Sequence, residues 1–245
     1  MNKTRERIGE IIFLLSAAMS VFLILLIIFF IFNEGIKFVN EYGLVPFITG
    51  KVWKPTAGNP HFGIYPMIVG SIIVTILSTI IALPFGLATS VFMAYYAKKS
   101  YSPLKSLINL MAAIPSVVYG FFAMMVLVPL VKSIFDIRSG MTMLTASILL
   151  AIMILPTMVN ISENSLKQVP MTFYQGSLAL GATKEETIRK VMIPSAKSGI
   201  FSSIILAIGR AIGETMAVYL VVGNQPRLTT KLLDGSRTLT TNIVL

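Results

Sequence analysis

Long apolar runs separated by polar stretches set the pattern of the chain. Crossing the hydrocarbon core of a bilayer takes roughly 20 consecutive apolar residues. The first run, IIFLLSAAMSVFLILLIIFFIF over Ile11–Phe32, carries no charge. It follows MNKTRERIGE, as a signal peptide would, but it outlasts an h-region and no small-residue cleavage site follows it. It predicts a retained helix. Further runs cover about Tyr65–Ala97, with Pro84 inside, and about Ser106–Val131, with Pro115 and Gly120 inside. The fourth covers about Met141–Ile161, with Pro156, and the fifth is Ser198–Gly223. Prolines of this kind are tolerated in membranes where neighbouring helices satisfy the freed backbone groups. The pattern predicts an all-α, polytopic transmembrane helical bundle. Its parts are an N-terminal segment 1–10, a first helix 11–32, an outer loop 33–63 and a helical domain 64–245.

Composition narrows the picture. The chain of 245 residues is 55% apolar and 12% charged, with a mean hydropathy of +0.83. Soluble domains carry about 25% charged residues, so this chain has too few to cover a solvated surface. Cysteine is absent, which excludes disulfides, thiolate metal sites and a cysteine nucleophile. The net charge of +10 does not indicate nucleic acid, because the basic residues sit in connections between apolar runs. Lys3, Arg5, Arg7, Lys98, Lys99, Lys105, Lys167, Lys184, Arg189, Lys190 and Lys197 outnumber those on the opposite side. That bias predicts a cytoplasmic N-terminus. Trp53 and Tyr65 then lie at the outer interface. His61, the single histidine, stands in the outer loop without a carboxylate or second histidine near it in sequence, and no metal site is expected. HExxH and GxSxG motifs are missing, and so is the GxxxxGK[ST] of an ATPase, so the chain is not expected to be an enzyme.

The inner connection, Ser162–Lys197, is the more informative loop. It reads SENSLKQVPMTFYQGSLALGATKEETIRKVMIPSAK. Phe173, Leu178, Ala179, Leu180, Ile188 and Val191 form an apolar face, Gly181 interrupts it, and Thr183 with Glu186 reads as a capping box opening a second short helix. The unit suits either an amphipathic helix lying on lipid or a helical hairpin docked into a partner protein.

The segment QGSLALGATKEETIRKVMIP resembles the EAA loop of ABC-importer permeases, with Gly181 at the glycine, Val191 and Ile193 at the aliphatic positions and Pro194 at the proline. Gln175, Gly176 and Ser177 replace Glu-Ala-Ala, so a carboxylate has become an amide. The resemblance implies a type I ABC importer permease fold in which 162–197 carries a coupling helix that seats in a cytoplasmic ATPase. AAIPSVVYGFFAMMVLVPL and GRAIGETMAVYLVVGN are similar to segments of phosphate-importer permease subunits of the PstC type, as is the tail SRTLTTNIVL. The implied protein is a permease subunit of an ATP-driven inorganic phosphate importer in a bacterial cell membrane. Implied partners are an ATP-binding subunit dimer, a second, PstA-like permease subunit and an extracytoplasmic phosphate-binding protein. No cofactor is expected in this chain; ATP and Mg belong to the partner ATPase. Sulfate or molybdate permeases are the nearest alternatives, and a proton-coupled carrier a more distant one. The family pattern also predicts a sixth helix, which a complete chain would form beyond Leu245.

Arg210 and Glu214 are the only charged residues between Ser198 and Gly223. An intramembrane charge costs roughly 2.5–3.5 kcal/mol on insertion scales. Four residues apart on a continuous helix, the two share a face and are expected to pair. They are either a structural ion pair or part of the substrate pathway, in which a guanidinium fork meets phosphate oxygens and Glu214 moderates its grip. The pathway is the expectation taken. Gly209 and Gly213 form a small-xxx-small ridge suited to close helix packing.

Overall fold

The computed structural model describes residues 3–56 and 58–245, with side chains from Arg7 onward. Met1 and Asn2, the start of the predicted cytoplasmic segment, lie outside the described residues. The chain divides into residues 1–50 with 54–63, and residues 51–53 with 64–245.

In the first unit, helix α1 (Lys3–Tyr42) outlasts the predicted Ile11–Phe32 at both ends. None of its apolar stretch is buried. Short helix α2 (Leu44–Thr49) follows. The rings of Phe38, Tyr42, Phe47 and Phe62 gather at 5.1–5.6 Å between centroids, mostly edge to face. The Tyr42 hydroxyl accepts the Phe62 N–H at 3.2 Å, so the end of α1 closes on its own loop. The outer connection also holds two two-residue strands, β1 (Trp53–Lys54) and β2 (His61–Phe62).

The second unit is built on α3 (Tyr65–Tyr95) and α7 (Met143–Gln168). Along α3 the buried residues Gly70, Val74, Ser78, Ala82, Gly86 and Ser90 recur every four positions. Small residues in one stripe let helix backbones approach where lipid offers no hydrophobic drive. Leu149, Leu150, Ile154 and Met158 of α7 fill the facing core. Both helices run through their prolines, Pro84 and Pro156. Among the described residues four helical stretches are long and apolar enough to span: Arg7–Tyr42, Tyr65–Tyr95, Ser116–Phe135 and Met143–Gln168. Lys184–Ser195 and Lys197–Gly213, bent by 67°, make a fifth when counted together.

Three expected boundaries are corrected. The predicted span Ser106–Val131 is two pieces: α4 (Tyr101–Ala113) stops before Ile114 and Pro115, both extended, and α5 (Ser116–Met125) and α6 (Leu127–Phe135) follow. A proline disfavours helical geometry in the residue before it, and it has no N–H to bond back. Helix α7 continues to Gln168, seven residues beyond the predicted Ile161, so Ser162–Gln168 belongs to the bundle rather than to the loop. The predicted fifth span, Ser198–Gly223, is broken: α11 (Lys197–Gly213) ends, Glu214 is extended, and α12 (Met216–Val221) restarts.

Between α7 and α11 lie α8 (Met171–Ala179), α9 (Lys184–Thr187), a π-turn over Ile188–Met192 and α10 (Ile193–Ser195). Beyond α12 the chain crosses to α13 (Leu239–Val244). Carbonyls of Asp234 and Leu232 accept the first amides of α7, from Met143 at 3.0 Å and Leu144 at 2.9 Å. These donors have no partner inside their own helix.

Candidate functional site

Arg210 stands in the last turn of α11 and Glu214 just past its end. Two weak helix formers, Gly213 and Thr215, flank Glu214, and its backbone is extended at φ −72°, ψ 128°. The freed carbonyls find hydroxyls: Thr215 Oγ1 donates to Gly213 O at 3.4 Å, and Thr240 Oγ1 to Glu214 O at 2.9 Å. Two of the carbonyls at the break thus have hydroxyl donors, the kind of replacement partner that a membrane interior calls for.

The break separates the expected ion pair. Among the described residues Arg210 has no carboxylate partner; one Nη of its guanidinium donates to Thr157 Oγ1 of α7 at 3.1 Å. Glu214 Oε1 instead accepts the Ala217 N–H in the first turn of α12 at 3.3 Å. Each charge is favoured by the dipole beside it, a cation at one helix C-terminus and an anion at the next N-terminus. Arg210 is half-buried and lies close enough to the Tyr119 hydroxyl to act on it electrostatically. That hydroxyl donates to Met111 O of α4 at 2.9 Å, bridging the Pro115 break. Ser71, Thr75, Glu214, Thr238 and Thr240 help line a cavity of ≈ 10 Å³, room for one water at most.

Gly209 and Gly213 are exposed, and a Cβ added at either meets nothing within 4 Å. With Ile205, Leu206, Ile212 and Met216 they form an open apolar face of α11 and α12 beside Arg210. The packed glycines are elsewhere. Gly120 of α5 abuts the backbone of Ala217 in α12, and Gly199 of α11 leaves no room for a side chain beside Ser165 of α7.

The expected hairpin of 162–197 takes shape over a shorter range. Gly181 adopts φ +86°, a geometry that glycine alone accepts freely, between α8 and α9. Thr183 and Glu186 form the full capping box. The Thr183 N–H, with Lys190 next to it, holds the Glu186 carboxyl below the usual carboxylate range. Gln175 and Gly176 are exposed on α8, while Ser177 bonds Thr187 Oγ1 at 2.9 Å and so ties α8 to α9. Val191 and Ile193 pack on Leu166, Val169, Met192 and Ala196; Pro194 is exposed, two residues before the bend at Ala196. Ile188 is buried, so the predicted apolar face divides. Phe173, Leu178 and Leu180 stay exposed, Leu180 at 92%.

Sequence reasoning missed a second charged centre. Glu163, placed in the loop by hydropathy, is fully buried; its two oxygens accept Lys167 Nζ at 2.6 Å and Lys105 Nζ at 2.7 Å. The signal was present as Glu163 and Lys167 at helical spacing. Thr157 and Tyr119, the neighbours of Arg210, carried no comparable signal.

These features define a polytopic helical subunit with a broken polar helix and a helical hairpin between α7 and α11. Residues 82–244 match the family described as binding-protein-dependent transport system inner membrane component, and the chain belongs to that family. It is 41% identical to the Bacillus subtilis protein named "Probable ABC transporter permease protein YqgH", over 84% of this chain and 67% of that one. It is 36% identical to the Methanocaldococcus jannaschii protein named "Probable phosphate transport system permease protein PstC", over 99% of this chain and 83% of the relative. Identity to the Mesorhizobium japonicum phosphate transport system permease protein PstC is 32%, over 80% and 66%. Among solved structures, an inward-facing MetNI methionine ABC transporter chain aligns with a TM-score of 0.48 and 20% identity, over 62% of this chain and 68% of that one.

Proposed function

We propose that this chain is the membrane-spanning permease subunit of an ATP-driven importer of inorganic phosphate. The observation that carries the reading is the state of Arg210: a half-buried guanidinium with one neutral hydroxyl partner, on a helix whose adjoining face is open. A guanidinium presents a planar fork of donors that matches phosphate oxygens. With Thr157 occupying one donor, the others are available to an anion in transit. Glu214, beyond the helix break, sets a negative charge near the path and favours release, as conduction requires. The names of the archaeal and rhizobial relatives support the choice of phosphate.

The α8–α10 segment, with Gln175, Gly176, Ser177, Gly181, Val191, Ile193 and Pro194, serves as the coupling element against an ATP-binding subunit. The exposed Phe173, Leu178 and Leu180 suit such a docking surface. The glycine ridge of Gly209 and Gly213 faces a second permease subunit, and a binding protein delivers phosphate from outside. ATP and Mg are used by the partner ATPase. The N-terminus and the loops around Lys99 and Lys184 lie in the cytoplasm.

Uptake of radiolabelled phosphate by vesicles holding the assembled complex tests the reading. ATP-dependent uptake that unlabelled phosphate competes away, and sulfate and molybdate do not, is the expected result. Equal competition by sulfate would overturn the substrate, and failure to co-purify with an ATPase would overturn the class. Labelling of a cysteine placed at Lys184 by an impermeant reagent outside intact cells would overturn the orientation.

A further inference from the structure

The turn between α3 and α4 is short and polar, AKKS over residues 97–100, and a tyrosine stands at each side of it. Each tyrosine carries a lysine from a different element. Lys184 Nζ of α9 lies 3.8 Å from the centroid of the Tyr96 ring and donates to Tyr95 O at 3.0 Å. Lys167 Nζ of α7 lies 3.7 Å from the centroid of the Tyr101 ring. The same Lys167 is bound to Glu163, whose second oxygen holds Lys105 of α4. Lys105 also donates to Asn160 Oδ1 at 2.8 Å. Tyr95 adds a third strand of contact: its ring stacks on Tyr174 of α8 at 6.4 Å and 4°, and its hydroxyl donates to Leu166 O at 3.2 Å.

We infer that these contacts form a two-point clasp that holds the α3–α4 turn to α9 of the coupling segment at one point and, at the other, to the C-terminal end of α7 that leads into that segment, so that the turn and the coupling segment move as one body. Lys184 and Tyr96 make one point; Glu163, Lys105, Lys167 and Tyr101 make the other. Their role is positioning, since none of them is placed on the phosphate path or on the exposed docking face. The inference rests on the proposed function, because it gives the coupling segment something to move.

Three physical features separate this from ordinary surface pairing. Glu163 is fully buried and both of its oxygens are used, so loss of either lysine leaves a desolvated charge half-satisfied. A lysine over an aromatic face binds without needing the register of a hydrogen bond, and so tolerates small rotations. Finally, the two points lie at opposite ends of one short turn, which fixes its orientation as well as its position. From the clasp, α4 runs on to Met111, whose carbonyl accepts the Tyr119 hydroxyl of α5, so the same helix also reaches across the Pro115 break.

The test uses the assembled complex in lipid nanodiscs, with spin labels on cysteines placed at Ser100 in the turn and Arg189 in the coupling segment. In the native background the label distance should be narrow and should stay the same with and without a non-hydrolysable ATP analogue. Lys184→Met and Glu163→Gln should each broaden it and make it nucleotide-dependent, and Lys184→Arg, which keeps the cation over Tyr96, should restore it. The amount of ATP hydrolysed per phosphate imported should rise several-fold in Lys184→Met and return toward native in Lys184→Arg. Lys184→Met remains informative if Glu163→Gln assembles poorly. A native distance distribution in Lys184→Met would overturn the clasp, as would a native distance that already shifts with nucleotide. Absence of phosphate uptake by the native complex would instead overturn the proposed function, while the distance measurement still judges the clasp.

Discussion

Glu163 with Lys167, and Arg210 with Glu214, are opposite charges spaced four apart, the first at the polar end of a long helix and the second in an apolar stretch. The first pair closes at 2.6 Å, while Arg210 and Glu214 each turn to a different neutral partner. The spacing is the same and the order of charges is reversed, a reversal that weakens pairing on a helix, but the larger difference is the backbone between them. Helix α7 is continuous from Met143 to Gln168, whereas α11 stops at Gly213. Burial differs too. Glu163 is sealed and saturated by two lysines, an arrangement suited to holding parts in place. Arg210 keeps unused donors on a half-exposed site, an arrangement suited to meeting something that arrives and leaves.

The comparison is broken most directly at Arg210. Arg210→Ala should reduce phosphate uptake to background at normal expression, and adding Glu214→Ala should not restore it, because the two do not neutralise each other. Recovery of uptake in the double variant would show a structural pair after all. At the other centre, Glu163→Ala leaves two lysines facing a buried gap. Breaking a buried pair costs about 3–5 kcal/mol, with the lower end expected because Lys105 and Lys167 keep 25% and 40% exposure. The readouts are the yield of folded protein in the membrane and its thermal midpoint. Adding Lys105→Met and Lys167→Met should recover part of the loss, the reverse of the outcome at Arg210.

The break itself can be sharpened. Gly213 has open space at its Cβ and no positive φ, so Gly213→Ala fits. It should stabilise the last turn of α11 by up to about 1 kcal/mol, and we expect uptake to fall a few-fold as helix is favoured through Glu214. Unchanged uptake with a more stable protein would separate the break from transport. The smallest effect is expected for Glu214→Gln, which keeps the acceptor for the Ala217 N–H and removes only the charge. Assembly and thermal midpoint should stay native, with a change in uptake rate within a few-fold; loss of assembly would mean that the carboxylate has a structural partner.

Several features were legible because their causes are local. Hydropathy located the apolar stretches, since the cost of putting charge in lipid acts residue by residue. The capping box at Thr183 and the turn at Gly181 involve neighbours within a few positions, so their side chains predict their geometry. The four-residue stripe on α3 was equally local, and a count of small residues would have found the face that packs on α7. Pro115 likewise carried a helix break in plain view, and reading through it merged α4 with α5.

What stayed hidden depends on groups far away in the chain. Hydropathy ended the fourth span at Ile161 because Glu163 is costly in lipid, but Lys105 supplies its second counter-charge from another helix. Pattern continued the fifth span through Glu214, yet Thr240, donated by the tail, satisfies the carbonyl that a broken helix frees. The sequence by itself determined that this chain is a set of membrane helices with a glycine-hinged hairpin between two of them, because apolar transfer and local capping are properties of short segments. Only the tertiary structure decided which charged pair closes and which stays open, because that outcome turns on partners brought together from distant parts of the chain.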